Sequence, residues 1–162
     1  MPHSFQLRTI EPRDDAAMAH VIRAVMPEFG AGGDGFAIHD AEVDTMHAAY
    51  TAPRCAYFVV EIDAVVAGGG GIAPLEHGDG DTCELRKMYF LPEARGQGAG
   101  HAVMRRCLDA AREQGFKYCY IETLSGMEAA FALYRKYGFE PLDSPLGQTG
   151  HHGCDHWFMR AL

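Results

Sequence analysis

Residues 83–100, Cys-Glu-Leu-Arg-Lys-Met-Tyr-Phe-Leu-Pro-Glu-Ala-Arg-Gly-Gln-Gly-Ala-Gly, run from an alternating strand pattern into a basic, glycine-rich turn that opens an amphipathic helix. Amide N–H groups in the first turn of a helix have no intrahelical acceptor and lie at the positive end of the helix dipole. A strand-turn-helix unit of this kind therefore builds a cradle for phosphate oxygens. Gly96, Gly98 and Gly100 let a ligand and the backbone approach closely. The spacing also excludes two phosphate loops. A nucleotide P-loop needs Lys-Ser/Thr after its last glycine, and a dinucleotide loop needs G-x-G-x-x-G after a parallel strand; neither fits here. A plain glycine-rich turn capping a helix would account for the glycines taken alone.

At 162 residues the chain is expected to form one domain, 1–162, large enough to bury a core. No apolar stretch reaches the roughly 18 residues that a membrane span requires, so no membrane association is expected. The opening Met-Pro-His-Ser-Phe-Gln-Leu-Arg lacks a signal-peptide core. Five cysteines, Cys55, Cys83, Cys107, Cys119 and Cys154, are odd in number, scattered and mostly set in apolar runs. They read as reduced residues of a cytoplasmic protein. Fourteen Lys and Arg against 22 Asp and Glu leave a formal charge of −8, which disfavours nucleic acid as a partner. That balance favours a cationic or amine substrate, although solubility explains an acidic surface equally well.

Hydrophobic spacing predicts a strand over Phe5–Ile10 and a helix over Ala16–Met26, capped by Asp14 or Asp15 and stopped by Pro27. Residues 30–35, Gly-Ala-Gly-Gly-Asp-Gly, form a loop that either contacts substrate or merely connects. A second helix is expected around Ala41–Tyr50, then strands at Cys55–Glu61, Val65–Ala73 and Cys83–Phe90. Gly68-Gly69-Gly70-Gly71 inside a strand point to a bulge or a close approach by another group. The helix from Gly98 carries Val103, Met104, Cys107, Leu108 and Ala111 on one face and ends at Gly115. Tyr118–Thr123 reads as a strand, Ser125–Glu128 as a capping box for a helix through Tyr137, and about Trp157–Leu162 as a closing strand. The resulting order is β-α-α-β-β-β-α-β-α-β-β.

Ala130 and then Leu-Tyr-Arg-Lys-Tyr-Gly-Phe at 133–139 form an A-x-x-L-Y-x-x-x-G-F pattern on the helix after the fifth strand. With Arg95-x-x-Gly98-x-Gly100 directly after a strand, this resembles the GNAT superfamily of N-acetyltransferases. The likeness is close over residues 83–140 and looser over 1–75. Over 141–162 it extends only to a final strand. It implies a mixed α/β fold whose central sheet has six or seven mostly antiparallel strands, splayed between the fourth and fifth and flanked by about four helices. It implies acetyl-CoA as cosubstrate, with the pantetheine arm beside Met88, Tyr89 and Phe90. The pyrophosphate would lie on Arg95, Gly96, Gln97, Gly98, Ala99, Gly100 and His101.

The activity implied is direct transfer of acetyl to a primary amine, either a small molecule or a protein lysine or N-terminal amine. The alternative is a non-catalytic acyl-CoA-binding regulatory module. One departure bears on that choice: many members carry asparagine seven residues before the signature tyrosine, where this chain has Met127, which cannot replace an amide's donor and acceptor. Ser125 or Thr123 could partly substitute.

Such a transfer needs a neutral amine, a polarised thioester and a proton for the departing sulfur. Glu84, eleven residues before Arg95, is the candidate base by likeness to the histone-acetylating branch. Burial would raise its pKa into a useful range. Pairing with Arg86 on a solvated face, or a backbone-held water serving as base, are the competing readings. Tyr134 is the candidate acid, or else an amphipathic core residue at helical spacing. The acceptor wall is expected from residues 28–45 and 141–156, with Phe29, His39, His151 and Cys154 as candidates. Asp40, Glu42 and Asp44 after His39 make an acidic approach or the polar face of a short helix. The segment Gly150–His156 matches no standard zinc spacing, so no metal is expected; it reads as a hydrogen-bonding hairpin or a solvated turn. Cysteine nucleophiles lack an orienting partner in the sequence. The oligomeric state stays open, a symmetric homodimer being the commonest arrangement.

Overall fold

The computed structural model describes residues 4–162, so Met1–His3 of the N-terminal stretch lie outside the described residues. Chain order is β1 (Phe5–Thr9), α1 (Asp15–Val25), α2 (Met46–Tyr50), β2 (Ala56–Ile62), β3 (Val65–Pro74), β4 (Thr82–Phe90), α3 (Ala99–Glu113), β5 (Tyr118–Thr123), α4 (Glu128–Lys136), β6 (Glu140–Leu142) and β7 (His156–Ala161). This reproduces the expected alternation. The seven strands form one sheet in the order β1-β2-β3-β4-β5-β7-β6. Every pairing is antiparallel except β4 with β5. Among the described residues no helix is long and apolar enough to cross a membrane.

Each face of the sheet carries its own core. α1 turns Met18, Val21, Ile22 and Val25 onto one face, where they meet Tyr57, Val59 and Ala73. On the other face α3 buries Val103, Met104, Cys107, Leu108 and Ala111 against Phe58, Val60 and Ile72. Period 3.6 in the helices and period 2 in β2 bring these side chains together. Cys83, Cys107 and Cys119 lie buried as free thiols.

The β4–β5 pair is short. Register runs only from Thr82 opposite Tyr118 to Glu84 opposite Tyr120. Beyond it the strands part, and the far edge of β5 is taken by β7. The sheet is therefore splayed where the family likeness places the opening.

The glycine run of β3 serves close packing. A Cβ at Gly71 would lie 2.4 Å from the Ala56 carbonyl oxygen, and one at Gly69 would lie 2.8 Å from the Tyr57 ring. On the other face a Cβ at Gly70 would lie 2.8 Å from Val103, and one at Gly68 would lie 2.4 Å from Phe90. Space normally held by side chains is thus filled by Tyr57 from one core and by Val103 and Phe90 from the other. The expected bulge is also present. Gly69 pairs with Tyr89 and Gly71 with Arg86, so Lys87 and Met88 of β4 face the single Gly70.

Three local expectations are corrected. Residues 41–50 do not form one helix, because Asp40 and Thr45 leave helical backbone angles. Short 3-10 turns at Ala37–His39 and Ala41–Asp44 precede α2. Asp14 holds the N-cap position of α1, as expected, but makes no side-chain capping bond: it accepts from the Glu11 amide at 2.7 Å and from Arg8, and Asp15 accepts from the His47 amide at 2.9 Å. Nor does Ser125 open a capping box. The N-cap of α4 is Met127, and the Ser125 amide and hydroxyl both donate to Asp155, at 2.8 and 2.7 Å.

Because the nearest obstacle at Gly71 is backbone that cannot rotate away, Gly71→Ala is expected to destabilise the fold by about 1–3 kcal/mol, read as a lower urea midpoint at unchanged m-value.

Candidate active site

The bulge in β4 organises the opened sheet. Lys87 takes φ +48°, a conformation uncommon for a side-chain-bearing residue, and the Tyr57 hydroxyl donates to its carbonyl at 2.6 Å. The Lys87 side chain is buried, with Nζ 2.7 Å from Asp40 and 3.3 Å from Glu42. Asp40, in the turn between two 3-10 segments, also accepts from His151 Nε2 at 2.9 Å. Gly153 N–H donates to the Gly35 carbonyl at 3.0 Å. The two loops expected to supply the acceptor wall therefore meet over the splay.

Glu84 is the last residue of β4 paired to β5, and its side chain is only 3% exposed. Burial pushes its carboxyl above the ordinary range, while the Arg86 guanidinium, which donates to Oε1 at 2.6 Å, pulls the other way. Glu84 is thus paired with Arg86, but it is buried rather than set on a solvated face.

Glu122 of β5 is a residue that the sequence reading does not single out. Its side chain is 5% exposed; it accepts from the Tyr120 hydroxyl at 2.8 Å and from the Thr149 hydroxyl, with His151 Nδ1 3.7 Å away. Oxygens of Glu84 and Glu122 and a ring nitrogen of His151 all lie within 4.8 Å of one another. Two carboxylates and an imidazole are a donor set a divalent cation could use. Here Arg86, Tyr120, Thr149 and Asp40 already partner the three groups. Burial disfavours a charged His151, yet the Asp40 carboxylate outweighs it and holds the imidazole above its ordinary value.

Tyr134 projects from α4 into the core, its ring 5.6 Å from that of Phe158. Burial pushes the phenol well up, opposed by the Thr123 hydroxyl, so the O–H stays protonated throughout the physiological range. The Cys154 thiol is pushed up to about 12, by burial first and then by Glu122 and Glu84, which removes it as a thiolate nucleophile.

Two cavities meet at this point. Glu84, Glu122, His151, Cys154 and Tyr134 line the first. The second, about 200 Å³, is an almost wholly apolar channel between β4 and α4, walled by Phe29, Met88, Tyr89, Phe90, Leu133 and Tyr134, with Arg95 and Gly100 at one end. Met88, Tyr89, Met127 and Tyr134 belong to both.

Beyond the channel, Gly98 caps α3 with φ +84°, and Gly96 has φ +75°. The first-turn amides of Ala99, Gly100 and His101 have no intrahelical acceptor. Gln97 donates to the Glu93 carbonyl at 2.6 Å, leaving its Oε1 buried with no partner among the described residues. The Arg95 side chain donates to the Phe90 carbonyl at 3.0 Å and pairs with Glu28 at 3.1 Å. The His101 ring lies 3.2 Å from the Tyr137 hydroxyl. The apolar channel thus reaches the start of α3 at Gly100, where the Arg95 guanidinium is engaged by the Phe90 carbonyl and Glu28.

Of the expected acceptor residues, His151 and Cys154 line the first cavity, whereas Phe29 belongs to the apolar channel. His39 is not brought in. It is exposed and bonded to the Gly32 carbonyl at 3.0 Å, and its neighbour Asp40 faces the site instead. Ser125 is spent on Asp155 and so cannot replace the amide missing at Met127. Glu122 has one signal in the sequence, an acid inside the otherwise apolar or hydroxylic strand Tyr-Cys-Tyr-Ile-Glu-Thr.

Comparison with known proteins agrees with this geometry. Residues 19–139 match the model of the acetyltransferase (GNAT) family. The chain is 44% identical, over 99% of its length and 97% of the relative's, to the Escherichia coli K12 protein named "Uncharacterized N-acetyltransferase YjgM". Among solved structures, a GNAT-family acetyltransferase from Staphylococcus aureus superposes with a TM-score of 0.85 at 15% identity, covering 98% of this chain and 99% of that one. The yncA structure from Salmonella typhimurium, solved with acetyl-CoA, superposes with a TM-score of 0.77 at 21% identity, over 97% of this chain and 93% of the other. The chain belongs to the GNAT acetyltransferase family and is an acetyl-CoA-dependent N-acetyltransferase.

Proposed function

We propose that Glu84 is the base and Tyr134 the hydrogen-bond donor to the leaving sulfur in direct acetyl transfer to a primary amine. The observation that carries this reading is their placement. The buried Glu84 carboxyl and the buried Tyr134 phenol line one cavity, and Tyr134 also lines the apolar channel. The bound cosubstrate supplies the activated acetyl group. Everything else falls to side chains and backbone of this chain.

The free amides at the start of α3 hold phosphate oxygens, and Met88, Tyr89, Phe90 and Leu133 exclude water from the arm between them and the reaction cavity. Glu84 takes the ammonium proton, directly or through water. Arg86 opposes the upward pull of burial on that carboxyl. Tyr134 differs from a strong acid: its phenol is weaker than a thiol, so its role is to donate a hydrogen bond to negative charge growing on sulfur.

Gly98→Val forces a β-branched residue to φ +84° and is expected to weaken acetyl-CoA binding at least about tenfold by calorimetry, while the melting curve stays cooperative. The ionised form of Glu84 is the active one and burial raises its pKa, so kcat should climb as pH rises through that raised value. Glu84→Gln should lower kcat at neutral pH by more than about tenfold, with partial recovery at high pH and little change in acetyl-CoA affinity. An unchanged rate would remove Glu84 from the mechanism. Tyr134→Phe should lower kcat about tenfold or more with a small effect on the acetyl-CoA KM; equal activity would leave Tyr134 a core residue only.

A further inference from the structure

Transfer of acetyl from a thioester to an alkylammonium ion yields an amide, a thiol and one proton, and that proton has to reach solvent before the next turnover. With Glu84 as base it starts on a side chain that is only 3% exposed. The carboxyl therefore needs a neighbour that can take the proton and also meets water. Arg86, its hydrogen-bond partner, has no lone pair to accept one. Glu122 is no better connected to solvent: its side chain is 5% exposed, and hydroxyls hold both of its oxygens, Tyr120 one and Thr149 the other.

His151 meets both conditions. A nitrogen of its ring lies within 4.8 Å of carboxylate oxygens of Glu84 and of Glu122, a span that one water molecule bridges. The ring lines the first cavity beside Glu84, and it also lines a third cavity of about 330 Å³ whose wall includes the exposed Pro145, Gly147, Gln148 and Gly150.

Its orientation is set from the opposite loop. Nε2 lies 2.9 Å from Asp40, and although burial opposes the charge on that carboxylate, His151 and Lys87 together hold it below the ordinary range. An ionised carboxylate only accepts, so Nε2 carries the hydrogen and the neutral ring keeps its lone pair at Nδ1, the nitrogen 3.7 Å from Glu122. The charge that the ring gains on protonation is answered by Asp40, Glu122 and Glu84 and opposed by Lys87, while Cys154 in the same loop stays a neutral thiol.

We propose that His151 carries the proton out of the site: Nδ1 takes it from the Glu84 carboxyl through one bridging water, and the imidazolium, steadied by Asp40, releases it to solvent in the third cavity. The transfer breaks the O–H bond of the Glu84 carboxylic acid, forms an N–H bond at Nδ1 and restores the carboxylate. The bridging water takes one hydrogen and gives up another. The proposal rests on Glu84 being the base.

Two measurements decide it. Nitrogen NMR of isotope-labelled histidine rings, with His151→Gln identifying the signal, needs no acceptor. The neutral ring should carry its hydrogen at Nε2, and its midpoint should lie above the ordinary 6.5 and fall in Glu84→Gln, which removes a charge that favours the imidazolium. A neutral ring protonated at Nδ1, or a midpoint that Glu84→Gln leaves in place, would overturn the relay. The second measurement is thiol release from acetyl-CoA with butylamine as the acceptor probe. His151→Ala and His151→Gln should each lower kcat at least about tenfold with little change in the acetyl-CoA KM. Added imidazole should restore His151→Ala saturably, and pyrazole, a ring of the same shape but a far weaker base, should not. Equal restoration by the two assigns the ring a packing role and sinks the proposal. Loss of rate in Glu84→Gln with full rate in His151→Gln keeps Glu84 as base and overturns the relay alone; full rate in Glu84→Gln with loss in His151→Gln overturns both and makes His151 itself the base.

Discussion

Tyr57 reaches across β3 over Gly69 and Gly71 to donate its hydroxyl to the Lys87 carbonyl, and the geometry of the site depends on that contact. Side chains at Gly69 and Gly71 would occupy the space of the ring. The ring's fully buried position carries the hydroxyl to β4, where the carbonyl at the bulge would otherwise be an unpaired buried acceptor. The extra residue turns Lys87 toward Asp40 and Glu42, while Met88 and Tyr89 wall the opened gap. A bulge that re-aims side chains beside a reactive centre is a recurrent use of this irregularity.

The splay and the charge network are two aspects of one arrangement. Because β5 leaves β4 after three paired positions, Glu84 sits at the fork and Glu122 just beyond it, each shielded from water and each needing partners. Arg86 answers the first. The second is answered by hydroxyls and, at a longer distance, by His151, which Asp40 anchors from the opposite loop. Holding several ionisable groups in one enclosed cluster costs solvation, and such clusters concentrate where protons are moved. Tyr134, by contrast, is packed among Phe139 and Phe158, and that surrounding keeps its proton in place.

Much of this is legible in the amino-acid order. Arg95–Gly100 and Leu133–Phe139 carry local signals, a turn that needs positive φ and a helix with a fixed apolar stripe, so their reading transfers directly. Glu84 is reachable by its offset from Arg95. Asp40 enters only as part of an acidic approach, with His39 preferred to it, because side-chain chemistry alone does not show which of two neighbours a turn directs inward. Ser125 reads as a cap because its spacing to Glu128 fits one; the competing partner, Asp155, lies thirty residues away. Glu122 escapes notice because an acid in a strand gains meaning only from the groups that lie across from it.

The sequence by itself determined the order of strands and helices and the family, because periodicity and glycine positions act over a few residues. Tertiary structure decided which charges meet. Glu84, Glu122, Asp40 and His151 come from four separate stretches of chain, and their protonation and pairing depend on burial and on distances of a few ångströms that only the packed sheet and its two covering loops set.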